Sequence, residues 1–128
     1  MSERPALAKS ELEVVKLVWK LKSATVRQVL DAMPADRGLD FKTVQTYLRR
    51  LEEKGYLSAT QQGRAKVYRA KVRPKTVVRE LVGDFVGRVF EGDPLPLVQN
   101  IIEDKNMTQE NIDRLRDMLN KLEARDDS

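Results

Sequence analysis

Leu12, Val15, Val18, Trp19 and Leu21 recur at helical spacing through LEVVKLVWKL, and the pattern predicts a first helix with Ser10 and Glu13 ahead of it as a capping box. Thr25 and Gln28 repeat that box before VRQVLDAM, and Pro34 with Gly38 punctuates its end, so a second helix is short. In FKTVQTYLRRLEEKGYL, plotted at about 100° per residue, Val44, Tyr47, Leu48 and Leu51 fall on one side. Lys42, Thr46, Arg49 and Arg50 fall on or near the other. Asp40 can cap this third helix, and Gly55 fits the left-handed position that closes it.

After Gly55 the pattern changes to two β-prone runs, YLSATQQ and AKVYRAKV, joined through Gly63 and Arg64 as a hairpin with a basic tip. Three helices followed by a hairpin is the order of a winged helix, an α+β helix-turn-helix unit in a mainly α chain. Pro74 ends that unit at a helix start, so residues 1–73 form one domain and residues 74–128 a second, helical one. In TVVRELVGDFVGRVF, Val77, Val78, Leu81, Val82, Phe85, Val86, Val89 and Phe90 make an apolar surface too broad to leave in water. GDPLP breaks it, a short helix runs through LVQNIIED, and Thr108 caps QENIDRLRDMLNKLE. There Ile112, Leu115, Leu119 and Leu122 step by 3, 4 and 3, the spacing of a helix-packing seam.

Composition then removes chemistries. The 128 residues suit one domain, or a small one with an appendage, and 41% hydrophobic content can build a modest core. With no cysteine and no histidine there is no thiolate, no disulfide, and no imidazole to bind metal or act as a base near neutral pH. An enzyme is not expected, nor a cofactor or a metal. The N-terminus lacks a signal-peptide stretch and no run approaches the roughly 18 apolar residues of a membrane span. A soluble cytoplasmic protein is expected. Residues 1–70 hold 14 Lys and Arg against 8 Asp and Glu, whereas residues 71–128 hold 10 against 12. A basic front half is the electrostatic footprint of a polyanion-binding module.

In a helix-turn-helix the second helix enters the major groove of duplex DNA, and the helix before it braces against the backbone. Lys42, Thr43, Gln45, Thr46, Arg49 and Arg50 are the candidates to contact DNA. Gln suits adenine, Arg the acceptor pair of guanine, Thr a thymine methyl, and Lys a phosphate. Arg64 and Lys66 on the wing would meet a flanking phosphate or the minor groove. On an isolated helix such a face would more simply be solvated; the hairpin, the element order and the charge asymmetry together favour DNA. Glu52–Glu53 and Glu103–Asp104 read as surface charge, because no partner for catalysis or metal binding accompanies them. Trp19 and Tyr68 read as core anchors, while Tyr47, at the margin of the packed face, can either pack or touch DNA. The competing reading is a winged helix used as a protein-interaction module, its basic face meeting an acidic partner; such a face should expose more aromatic and aliphatic anchors.

LAKSELEVVKLVWKL, KTVQTYLRRLEEKGYL and GRAKVYRA together resemble the successive signatures of the penicillinase and methicillin-resistance repressors, the BlaI/MecI type, over nearly the whole chain. The resemblance implies a homodimeric repressor with an N-terminal winged helix and a C-terminal dimerisation domain, bound to a palindromic operator. It sets Lys42, Thr43, Gln45, Thr46 and Arg50 at DNA-facing positions and Arg64 on the wing. Arg49 departs from the apolar residue often found there. Val78, Leu81, Val82, Phe85, Val89, Leu115, Leu119 and Leu122 then become the dimerisation residues. Copper-responsive members of the wider family use a cysteine-rich metal site, which this cysteine-free chain lacks. The β-lactam-responsive members are inactivated by a sensor-linked metalloprotease that cuts after an Asn, and Asn100–Ile101 stands in the similar context, with Ile where the relatives commonly have Phe.

Overall fold

The computed structural model describes residues 4–127. Its elements run α1 (Lys9–Leu21), β1 (Ser23–Ala24), α2 (Val26–Ala32), a single 3-10 turn (Ala35–Arg37), α3 (Phe41–Glu53), β2 (Leu57–Gln62), β3 (Ala65–Ala70), α4 (Pro74–Val89), α5 (Leu95–Ile102) and α6 (Gln109–Asp127). They divide into two compact units, through Leu81 and from Val82.

Local chemistry explains the helix ends. Thr25 accepts from the Gln28 amide at 3.2 Å while its own amide donates to Gln28 Oε1 at 2.9 Å, closing the expected box at α2. Asp40 Oδ1 accepts from the Thr43 amide at 2.8 Å and caps α3. At the far end Gly55, with φ +90°, lets the Tyr56 amide reach Leu51 O at 3.0 Å and its own amide reach Glu52 O at 3.1 Å. That pair of bonds is a Schellman closure, which needs a left-handed residue. Helix α1 corrects an expectation: its cap is Ala8, whose amide donates to Glu11 Oε1 at 2.8 Å, and Ser10 lies inside the first turn. The Glu11 carboxylate supplies the return arm two residues ahead of the expected one.

The buried stripe of α1 is Glu11, Val14, Val15 and Val18, with Leu12 and Trp19 half-buried beside it and Leu21 exposed. Val14 takes the place expected of Leu21. The stripe packs against Val26, Val29 and Met33 of α2 and Val44, Leu48 and Leu51 of α3. Tyr56, Leu57 and Tyr68 close the core from the sheet side.

The hairpin pairs Leu57 with Ala70 through Gln62 with Ala65, and Gly63 takes the positive φ of its two-residue turn. A third strand was not expected. Ser23 and Ala24 pair antiparallel with Arg69 and Tyr68, giving the order β1-β3-β2. Two residues carry no alternation, so their sequence gives no strand signal.

Pro74 begins α4, and the first two turns of that helix belong to the first unit: Val77 is buried and Leu81 half-buried against the same core. The division between compact units therefore falls inside α4, two turns after Pro74. In the second unit Phe85 and Phe90 meet edge to face at 5.9 Å. Thr108 Oγ1 accepts from the Asn111 amide at 3.1 Å and caps α6. Among the described residues no helix is long and apolar enough to cross a membrane.

Candidate nucleic-acid interface

Because Val44, Leu48 and Leu51 are fully buried, α3 is held with its opposite side turned to solvent. The sequence-predicted residues divide over that side into three rows. Lys42 and Arg49 are exposed along its middle with half-buried Thr46 between them, and the Thr46 hydroxyl donates to Lys42 O at 3.0 Å. Thr43 and Arg50, two turns apart, form the row toward α1, where the charge of Arg50 bears on Glu11. Gln45 and Glu52 form the row toward the hairpin.

Between that last row and the wing lies an open groove of about 420 Å³, lined by Arg27, Phe41, Gln45, Arg64 and Lys66 among others. No Asp or Glu lines it. The Arg27 guanidinium sits 5.3 Å from the centre of the Phe41 ring, and Lys66 Nζ 5.7 Å from that of Tyr68. Arg64, at the hairpin tip, is exposed. Among the described residues neither Arg27 nor Arg64 has a carboxylate partner. The groove therefore collects positive charge beside a helix whose outer face donates hydrogen bonds, an arrangement suited to a phosphate backbone next to base edges. Nothing in the sequence pattern singles out Arg27. It is one basic residue in a short helix, and only the fold brings it to the start of α3.

Two of the expected contact cations, Lys66 and Arg49, carry carboxylate partners. Lys66 Nζ lies 3.1 Å from Glu52 Oε1, and that hydrogen bond holds the ammonium above its usual range. Arg49 Nε lies 4.0 Å from Glu53 one turn on, with both side chains exposed. Glu52 and Glu53, expected as surface charge, are thus partners of cations on the interface. Tyr47 is half-buried and packs against the core. Tyr68 is buried there and Trp19 packs partly against it.

Behind the interface, Glu11 is 2% exposed, the one buried charged residue among those described. Lys54, at the end of α3, reaches its Oε1 at 2.6 Å and also donates to Ala6 O at 2.9 Å. Tyr56 Oη donates to Pro5 O at 2.7 Å, and Arg4 pairs with Glu80. Residues 4–6 are thereby strapped across the end of α3.

Of the residues expected to form a dimer surface, Val78, Val82, Phe85, Val89, Leu119 and Leu122 are each about half exposed. Leu115 is half-buried and lines a groove in the second unit with Ile101, Met107 and Met118, and Leu81 packs on the first unit. Asn100 and Ile101 are exposed in the last turn of α5, where Asn100 Nδ2 donates to Pro96 O at 2.8 Å.

A family model described as penicillinase repressor matches residues 7–121. The penicillinase repressor of Bacillus licheniformis is 29% identical over 125 residues, covering 98% of both chains. The methicillin resistance regulatory protein MecI of Mammaliicoccus sciuri is 26% identical over 115 residues, 90% of this chain and 94% of that one. Among solved structures, the monomeric form of Bacillus licheniformis BlaI bound to the blaP half-operator is similar at a TM-score of 0.50 and 33% identity, over 59% of this chain and 92% of that one. The DNA-binding domain of the repressor BlaI in solution is similar at 0.51 and 34%, over 58% and 90%.

Proposed function

The chain belongs to the penicillinase repressor family, and from that premise we propose that it represses transcription as a homodimer, each protomer setting α3 into the major groove of one half of a palindromic operator. The family consists of DNA-binding transcriptional repressors, not enzymes. The observation that carries the reading is the outer side of α3: donors at Lys42, Gln45, Arg49 and Arg50 stand beside a wing whose cations line a groove with no Asp or Glu in its wall. A protein-binding face would offer apolar anchors there, and Phe41 is the large exposed apolar residue on the helix.

One winged helix binds DNA mainly through phosphates, weakly and with steep salt dependence; joining two makes the second contact intramolecular and raises affinity on the order of 10²–10⁴. Residues 74–128 serve as the dimerisation region in this reading, supported by the half-exposed apolar side chains of α4 and α6. Its site of action is the cytoplasm, where its DNA is. Repression would end when a sensor-linked metalloprotease cuts at Asn100–Ile101, a bond whose flanking side chains are exposed.

The test is selection of bound duplexes from a random library by the purified protein, followed by a salt titration on the recovered sequence. Enrichment of a two-fold symmetric site, with affinity falling steeply as salt rises, is expected. No enrichment over random DNA overturns the reading.

A further inference from the structure

The wing and the recognition helix are joined by one ion pair. The Lys66 ammonium, on β3, lies 5.7 Å from the ring centre of Tyr68 on the groove floor and is held by Glu52 in the last turn of α3. Glu52 lies in the same helix row as Gln45, so its carboxylate stands on the hairpin flank of the DNA-facing side. Both partners stay accessible: the Lys66 side chain is 47% exposed and that of Glu52 34%. A carboxylate so held presents to the ammonium the charge and acceptor oxygens that a phosphate would present.

Resting on the DNA-binding reading above, we propose that Glu52 is an internal competitor for DNA: its carboxylate occupies the Lys66 ammonium that a backbone phosphate must take when the duplex enters the groove. Arg27 and Arg64, neither with a carboxylate partner among the described residues, hold the phosphates of the first encounter, and Lys66 exchanges Glu52 for phosphate as the wing seats. Because phosphates carry no sequence, the exchange weakens all duplexes alike and leaves discrimination to the bases. The same pair holds the hairpin against α3 in the absence of DNA.

Charge repulsion between Glu52 and DNA would also weaken binding, and a double-mutant cycle separates the two. The probe is a labelled duplex of random sequence, titrated by anisotropy with the full chain carrying Glu52→Gln, Lys66→Gln or both. Glu52→Gln is expected to tighten binding roughly two- to fivefold, the scale on which an exposed ion pair contributes. Lys66→Gln should weaken binding and lower the salt slope by about 0.9. In the Lys66→Gln background, Glu52→Gln should change nothing. A gain that persists without Lys66 makes Glu52 a simple repulsive charge and overturns the proposal, as does no gain from Glu52→Gln alone. If the unaltered protein binds no duplex at low salt, the DNA-binding reading itself fails, a result distinct from either.

Discussion

Lys54 Nζ lies 2.6 Å from Glu11 Oε1 and ties the end of the recognition helix to the first turn of α1. Side-chain exposure is 26% for Lys54 and 3% for Glu11, so the lysine stands at the edge and the carboxylate inside. Removing one partner of a buried pair leaves a desolvated charge, whereas replacing both with apolar groups is often neutral. Lys54→Met should therefore cost about 3 kcal/mol, measured by urea unfolding. Adding Glu11→Leu should recover most of the loss. If the double variant is less stable than Lys54→Met, the pair does not act as a unit.

The same carboxylate sets an acid limit. Burial alone would raise the Glu11 pKa, but hydrogen bonds from Lys54 and the Ala8 amide, with the charges of Lys54 and Arg50, outweigh it and hold the group below its ordinary 4.5. A folded-state value below the unfolded one means that the unfolded chain takes up the proton first. The contribution is fully present above 4.5 and is lost as pH falls through the lower folded value. Wild type should lose more stability than Glu11→Gln between about pH 6 and pH 3, read from unfolding midpoints. Equal losses would assign acid sensitivity to other groups.

On DNA, the rows of α3 predict different signatures. Gln45→Ala and Arg50→Ala should each cost roughly 1–3 kcal/mol on the selected duplex and relax preference at one base position. Lys42→Ala should weaken all duplexes alike and flatten the salt dependence by about one contact. Binding and repeat selection check both. If Arg50→Ala leaves affinity and preference untouched, Arg50 serves the electrostatics of Glu11 and not the reading of bases.

The apolar face of α6 offers a test of assembly. Leu119 and Leu122 are 59% and 48% exposed, so replacing both with Asp should leave the fold of the second unit intact. Leu115 is half-buried and its replacement would damage packing as well. Leu119→Asp with Leu122→Asp should sediment as a monomer at about 10 μM and lose on the order of 10²–10⁴ in affinity for a two-fold site. A dimer persisting at that concentration would put the interface elsewhere.

What the sequence made legible was local. Caps at Thr25, Asp40 and Thr108, the closing Gly55 and the turn at Gly63 each involve residues a few positions apart, and each forms as the pattern predicts. What it hid was distant. The capping box reads at Ser10 and Glu13 and passes over Glu11, whose partner Lys54 lies 43 positions on. Arg27 meets Phe41 only through the packing of α2 on α3, and β1 exists only because β3 offers it a partner. Adjacent Val14 and Val15 left the period ambiguous by one residue, which is why Leu21 was expected in the core and Val14 was not. Of the site, the residue types on α3 were readable from the wheel; their division into rows, and the internal partners of Lys66 and Arg49, required the fold.

Among the described residues, Val77 and Leu81 are the last in sequence to join the winged-helix core. During synthesis, domains fold as units from the N-terminus while the ribosome adds about 5–20 residues per second. The DNA-reading head of each new chain can thus be finished before the exposed apolar side chains of α5 and α6 have left the exit tunnel. Those apolar side chains then emerge on a chain whose first unit already holds its own core.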